Sequence, residues 1–378
     1  MDERYSGYGF EQPSLSFLEL KQMVGESFPL LDAYIDERGV PTFTVTNVSK
    51  LGFKALTVKL ERFRLIPTLR KVGDAVMLRV FMKPPRAKPR SVLVNFLLLA
   101  ATLGTIYLAG YYGFVSTPVL TEVLMKDANV YLQSAAFAVS LFGIIGLHEL
   151  GHLIACRIHG MDFSLPYFIP GPPPFGTFGA VVSLRSPPRN RDELFDTGFA
   201  GPLAGFVATI AVSALSLKQG FLVPAHQAAA WAEKGWVKMV GWPMIPLIFE
   251  LIQPLVRPIP AGFNLILTHV EFAAWVGALV TFLNILPVWQ LDGGHISRAM
   301  WGEKGHRYAS FIGLGVLFAT GYWFFALFLL FWMFGSKRGV SGAEPLDDVS
   351  PLSPGRRMLY LAALIVLGLS FVVITPIF

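Results

Sequence analysis

Two patterns of apolar and polar positions divide the chain near residue 90. Before that point charges recur every few residues and no stretch is apolar enough to span a bilayer. SLSFLELKQMVGESFPLL places leucine and phenylalanine at helical spacing, with Ser14 as a candidate cap. PTFTVTNV alternates threonine with β-formers and predicts a strand, as does AVMLRVFM. Between them, SKLGFKALTVKLERFRLI sets Leu51, Leu56, Leu60 and Phe63 on one helical stripe. These elements predict a small soluble α+β domain over residues 1–90. It ends in KPPRAKPR, a proline-rich basic linker suited to the cytoplasmic side of a membrane.

After residue 90 the pattern changes to uncharged apolar runs of about 20 residues, the length a helix needs to cross a bilayer. Runs fall at about 91–114, 130–158, 196–217 and 268–289, with a longer block at 307–334 and a last run at about 357–377. The prediction is a polytopic α-helical membrane protein with about six transmembrane helices over 91–378. The block at 307–334 reads either as one span or as a broken or re-entrant helix pair. One span would leave Lys337, Arg338, Arg356 and Arg357 on the side opposite the other basic loops. Residues 160–190 are too rich in proline and glycine for a helix and too apolar for an exposed loop. Non-helical backbone at membrane depth needs protein or a polar cavity to cover it, and GTFGAVVSL within this stretch predicts a short membrane-associated β segment. Gly201 and Gly205 form a small-xxx-small pair that lets another helix approach closely. Residues 219–266 are mixed and are expected at the far surface.

Composition agrees with this division. Of the 378 residues, 53% are hydrophobic and 15% charged, against about 25% charged in a soluble domain. The net charge of +6 lies between the apolar runs, which fits positive-inside loops rather than a nucleic-acid module. MDERYSGYGF lacks the apolar core of a signal peptide, and the single cysteine, Cys156, excludes an intrachain disulfide. The arginine and lysine positions orient the chain with its N-terminal domain toward the cytoplasm and with residues 148–152 and 291–294 approaching that same side, as a multi-pass protein of the cell membrane.

The second apolar run carries HELGH at 148–152. Side chains four apart on a helix share a face at about 5–6 Å, so His148 and His152 can reach one metal ion at about 2.0–2.1 Å. Two histidines and a glutamate within one turn are costly at membrane depth, and a metal ion compensates that cost. In H-E-x-x-H sites the glutamate is the general base for a zinc-activated water, a role that falls to Glu149. A catalytic zinc has three protein ligands and one open position. Cys156 lies a further turn along and reads as a packed small residue. Asp292, flanked by Gly293 and Gly294, leaves two readings: a carboxylate completing a His-His-carboxylate site, or the cap of a helix start.

The pair of HELGH and, about 130 residues later, NILPVWQLDGGH resembles the site-2 protease family of intramembrane zinc metalloproteases. That family's second motif, N-x-x-P-x-x-x-L-D-G, is matched by Asn284, Pro287, Leu291, Asp292 and Gly293. FGTFGA at 175–180 and AGPLAG at 200–205 extend the resemblance over a three-helix catalytic core at about 130–300. It implies one Zn2+ per chain held by His148, His152 and Asp292, with Glu149 as catalytic base. It also implies Asn284 as a donor to the substrate backbone or oxyanion, and Gly176, Thr177, Phe178 and Gly179 as a strand edge that receives the unwound substrate. The partners it implies are single-span transmembrane substrates within the lipid bilayer, with the N-terminal domain meeting a partner or regulator. The rival reading is a transporter or metal carrier using HELGH as a transport site. Such a protein favours repeated halves, and no repeat stands out. Among the other polar residues, His295 reads as support behind the ligands or as interfacial, His269, Glu271 and Trp289 as interfacial, and His226 and His306 as solvated.

Overall fold

The computed structural model describes residues 15–83, 91–238, 240–336 and 343–373. The candidate cap Ser14 lies outside them. Helix α1 (Phe17–Gly25) is capped instead by Ser16 in a reciprocal capping box with Glu19. The Ser16 N–H and hydroxyl both donate to the Glu19 carboxylate at 2.8 Å, which holds that carboxyl below the usual carboxylate range.

The predicted helix and two strands of the N-terminal domain appear as α2 (Lys50–Glu61), β2 (Pro41–Val45) and β4 (Ala75–Met82). Two further strands, β1 (Leu30–Ile35) and β3 (Leu65–Val72), complete an antiparallel sheet of order β1-β2-β4-β3. β3 takes over the end of the segment read as helix. Both helices pack on the sheet through Leu20, Val24, Phe53, Leu56, Leu60, Phe43, Leu69 and Leu78. Leu51 departs from its predicted stripe. It stands two residues before Phe53, on the solvent side of α2, and is 82% exposed. Leu60 is fully buried, so Leu60→Ala is expected to destabilise this domain by about 2–5 kcal/mol. A urea titration of the intact chain read by proteolysis of residues 15–83 measures that loss.

The membrane part is mostly helical. α3 (Val92–Val115), α4 (Val130–Ile158) and α5 (Arg191–Gln219) are long and apolar enough to cross a bilayer. The later elements are shorter or broken: α6 (Ala225–Glu233), α7 (Leu247–Val256), α8 (His269–Ile285), α9 (Asp292–Ala319), α10 (Trp323–Gly335) and α11 (Pro354–Leu369). Where about six spanning helices were expected, three of the described helices meet the length and apolarity of a span, and α7, α8 and α10 are apolar but shorter. α4, α5 and α8 pack on one another as a three-helix core.

The block at 307–334 is a broken pair. α9 ends at Ala319, Gly321 takes a left-handed turn at φ 89°, and α10 runs on from Trp323. α10 packs back onto α8 and α9 around Phe282, Leu286, Leu317, Leu329 and Met333. The chain therefore returns to the face that carries the N-terminal sheet, where Leu69 N–H donates to the Leu346 carbonyl at 2.8 Å. That return places Arg356 beside the start of α5, where it bonds Asp196 and Asp192; Lys337 and Arg338 lie outside the described residues.

The stretch between α4 and α5 forms a hairpin of β5 (Tyr167–Pro170) and β6 (Thr177–Val181). It is tied to α3 by Asn95, whose amide donates to the carbonyls of Leu165 and Pro166 at 3.2 and 3.0 Å, and by Thr105, whose hydroxyl donates to the Gly176 carbonyl at 2.7 Å. A second two-stranded antiparallel sheet, β7 (Phe221–Pro224) with β8 (Phe263–Ile266), lies between the far ends of α5 and α8, with α6 and α7 in the connection.

Candidate metal centre

α4 continues as helix through HELGH to Ile158. His148 and His152 therefore stand one turn apart on one face, and their Nε2 atoms are 3.1 Å from each other. Asp292 is the first residue of α9. Its Oδ2 lies 3.3 Å from His148 Nε2 and 3.3 Å from His152 Nε2. The cap reading of Asp292 does not hold, because Leu291 is the N-cap of α9 and no side chain caps it; Asp292, one residue on, faces the histidine pair.

The three donor atoms fit one metal ion. Ligands at about 2.0–2.1 Å in tetrahedral geometry stand about 3.3 Å apart, which is the spacing found. The imidazole of His152 is oriented for this task. Its Nδ1–H donates to the Thr197 carbonyl at 2.7 Å, because a carbonyl can only accept. Its Nε2 lone pair is thereby left for the metal. His148 is buried, and its Nδ1 has no partner among the described residues. These are the His/Cys/Asp/Glu groups that come together as a metal site among the described residues. From His148 to the end of α4 at Ile158 is about 15 Å along the helix, so the centre lies well in from the end of a helix long and apolar enough to cross a bilayer.

α5 makes room for the site. A Cβ added at Gly201 would overlap the imidazole of His152 at Nε2. One added at Gly205 would lie 3.0 Å from His148 Nδ1, and one at Gly198 would lie 2.8 Å from the Asp292 carbonyl. The small-xxx-small pair read from the sequence is therefore part of a three-glycine stripe that receives the ligands. Gly293 and Gly294 allow the turn from α8 into α9, since a side chain on either would overlap the backbone carbonyls of Ile285 and Trp289.

Glu149 is buried beside the cluster, within electrostatic reach of His152 and Asp292. Its carboxylate has no hydrogen-bond partner among the described residues, so its lone pairs stay open. Asn284 is half-buried in the last turn of α8, also with no hydrogen bond to a described residue. Thr177 is buried, and its hydroxyl donates to the Ile169 carbonyl and accepts from Gly179 N–H. Phe178 is exposed, Gly176 packs against the backbone of α3, and Gly179 takes φ 91° facing open space. β6 pairs with β5 on one edge, and its other edge has no strand partner among the described residues.

Several polar residues sit differently from their sequence reading. Glu271 is buried, not interfacial, and accepts from the Ser213 hydroxyl at 2.9 Å. His269 fits against Gly113 of α3 and the ring of Phe137. His306 is fully buried and bonds Ser297 at 2.8 Å, not solvated. Trp289 is partly buried in the turn at φ 44°, and its backbone N–H donates to the Ser310 hydroxyl at 3.1 Å. His295 stands behind Asp292 with its Cβ against Gly198, which removes its interfacial reading. Cys156 is buried and free, as expected of a packing residue, and His159 bonds Asp196 at 2.8 Å, away from the metal centre. His226 is exposed, on α6 rather than in a loop.

Comparison with known proteins agrees with this geometry. A family model described as Peptidase family M50 matches residues 136–328, half of the chain. The chain is 28% identical over 289 residues to a "Probable zinc metalloprotease EGY2, chloroplastic" of Oryza sativa subsp. indica, covering 69% of this chain and 50% of that protein. It is 25% identical over 319 residues to the EGY2 protein of Arabidopsis thaliana, covering 79% and 56%. It is 30% identical over 190 residues to a "Probable zinc metalloprotease EGY1, chloroplastic" of Oryza sativa subsp. japonica, covering 47% and 31%. The chain thus spans about half the length, or less, of these curated relatives. No solved structure matches it. The matched region contains most of α4, the glycine stripe of α5, and the turn into α9, and with them every residue of the metal centre: the chain belongs to peptidase family M50, the site-2 protease family.

Proposed function

We propose that this chain is a zinc-dependent intramembrane endopeptidase, hydrolysing a peptide bond in or near the transmembrane segment of single-span proteins. The observation that carries the reading is the convergence of three ligand atoms from α4 and α9, at tetrahedral spacing, beside a buried glutamate in an apolar helix. His148, His152 and Asp292 would hold one Zn2+. Zinc in this donor set supplies Lewis acidity, which acidifies water and polarises a carbonyl.

The chain's own residues do the rest. Glu149, with open lone pairs, takes a proton from the attacking water at its carboxylate and delivers it to the leaving amide nitrogen. Asn284 donates its amide N–H to the substrate's carbonyl oxygen as charge develops there. A helical peptide bond is shielded, so the substrate segment unwinds. The free edge of β6, around Gly176, Thr177, Phe178 and Gly179, satisfies its released backbone groups by strand addition. Residues 1–90 act as a soluble domain that recognises a partner or regulator. That domain and the mouth of the site face one side of the membrane, which the basic loops assign to the cytoplasm in a cell membrane.

The full chain, purified in detergent and offered a model single-span substrate, tests this reading. We expect about one zinc per chain, cleavage that stops on chelation, and recovery when zinc is returned. Absence of metal from the purified chain, with no uptake of added zinc, would overturn it.

A further inference from the structure

The segment joining α10 to α11 ties three parts of the molecule together. Leu346 packs into the core of the N-terminal domain. Its carbonyl accepts from Leu69 N–H at 2.8 Å and from Arg70 Nη1 at 2.7 Å. The N–H groups of Leu346 and Asp347 donate to the carbonyls of Pro188 and Arg189, each at 2.8 Å, just before α5 begins. Asp347, fully buried, turns the segment by accepting from the N–H groups of Val349 and Ser350.

Asp348 then receives two guanidiniums. Arg298 of α9 donates Nη1 and Nη2 to its two oxygens at 2.9 and 2.7 Å. Arg191, at the start of α5, donates Nε to Asp348 Oδ1 at 3.2 Å and Nη2 to the Asp348 carbonyl at 2.7 Å. Arg298 is only 1% exposed. A two-pronged guanidinium–carboxylate contact fixes orientation as well as distance, and a buried guanidinium without its carboxylate is strongly disfavoured. Arg298 lies on the same helix as Asp292, about 9 Å further along. α5 carries Thr197, which orients His152, and the glycines that receive both histidines. Asp348 therefore joins the helix that supplies the third ligand to the helix that cradles the other two.

We propose that Asp348 is a positioning residue for the metal centre: through Arg298 and Arg191 it sets where Asp292 stands relative to His148 and His152. Leu346 holds the same segment to the N-terminal sheet through Leu69 and Arg70. This rests on the zinc-peptidase reading above.

The test uses the full chain as wild type, Asp348→Asn and Arg191→Gln. Zinc affinity is read by chelator competition, ligand geometry by the visible absorption of the Co2+-loaded protein, and turnover by kcat and KM on a single-span substrate. Asp348→Asn is expected to weaken zinc binding by up to about tenfold, the low end of what changes in groups bonded directly to metal ligands produce, because it acts through Arg298 and Arg191. It should also alter the Co2+ spectrum and lower kcat with KM little changed. Arg191→Gln leaves the Arg298 contact in place and is expected to move the same readouts a few-fold. A folded Asp348→Asn chain with wild-type zinc affinity and Co2+ spectrum would overturn the proposal. If that variant does not fold, the same result for Arg191→Gln overturns it. A wild-type chain that takes up no zinc fails at the peptidase reading itself and takes this proposal with it.

Discussion

Exchange of Glu149 for glutamine is expected to leave about one zinc on the chain and to lower cleavage by roughly 10²–10⁴-fold, the range a positioned general base contributes. The geometry separates Glu149 from the ligands. Three donor atoms from His148, His152 and Asp292 already stand 3.1–3.3 Å apart, which fills a three-ligand site. Glu149 follows His148 by one residue and points about 100° further round α4. Glutamine keeps the volume of the side chain but cannot take a proton from water. Because the Glu149 carboxylate makes no hydrogen bond to a described residue, the exchange breaks no contact that holds α4 in place. KM should change little, since the lost interaction belongs to proton transfer. Metal content measured beside cleavage separates the roles: a variant that loses zinc would make Glu149 a ligand, and one that cleaves at the wild-type rate would place the base elsewhere.

The parts of this arrangement that were legible in the sequence share one property, a local cause. The bounds of α4 follow from an apolar run that begins after the capping Asn129, and its two histidines share a face by helical spacing alone. What sequence could not give was the neighbour. Glu271 and His306 sit near the ends of apolar runs, where a polar side chain reads as interfacial or solvated. Ser213 of α5 and Ser297 of α9 hold them inside instead. The apolar run says that a helix enters the membrane, not which of its faces meets protein. The strands β1 and β3 were missed because LLDAYI and LIPTLRKV carry charges and little clean alternation, and their pairing is set by β2 and β4. The contact of Leu69 with the segment around Asp347 joins residues far apart in the chain, and no periodicity announces it. The same limit applied to the site. Asp292 carries two readings in the sequence, and only the histidines brought opposite it decide between them; AGPLAG likewise reads as a close-packing stripe without showing what packs on it.

That stripe yields the second large expected effect, at a residue that binds nothing. Gly201→Ala should lower zinc affinity by at least about 100-fold, the upper end of what changes behind a ligand produce, with cleavage lost in proportion. The added methyl group would occupy the space of the His152 imidazole at Nε2, the atom that must reach the metal. Relief has two routes, and both harm the site. The ring can swing away, which breaks the Nδ1–H contact to Thr197 and takes the Nε2 lone pair off the shared centre. Alternatively α5 can retreat from α4, but Gly151 packs against the carbonyl of Ala200 just beside it, and the two long helices resist separation along their length. Overpacking of this kind costs typically about 1–3 kcal/mol in a tight core, so the chain should still fold. Gly205→Ala is the graded control, because its Cβ would lie 3.0 Å from His148 Nδ1, a contact that a small shift relieves, and a milder loss is expected. Chelator competition on the two variants reads the difference. Equal affinity of Gly201→Ala and the wild type would mean that α5 does not hold the ligands as closely as this geometry requires.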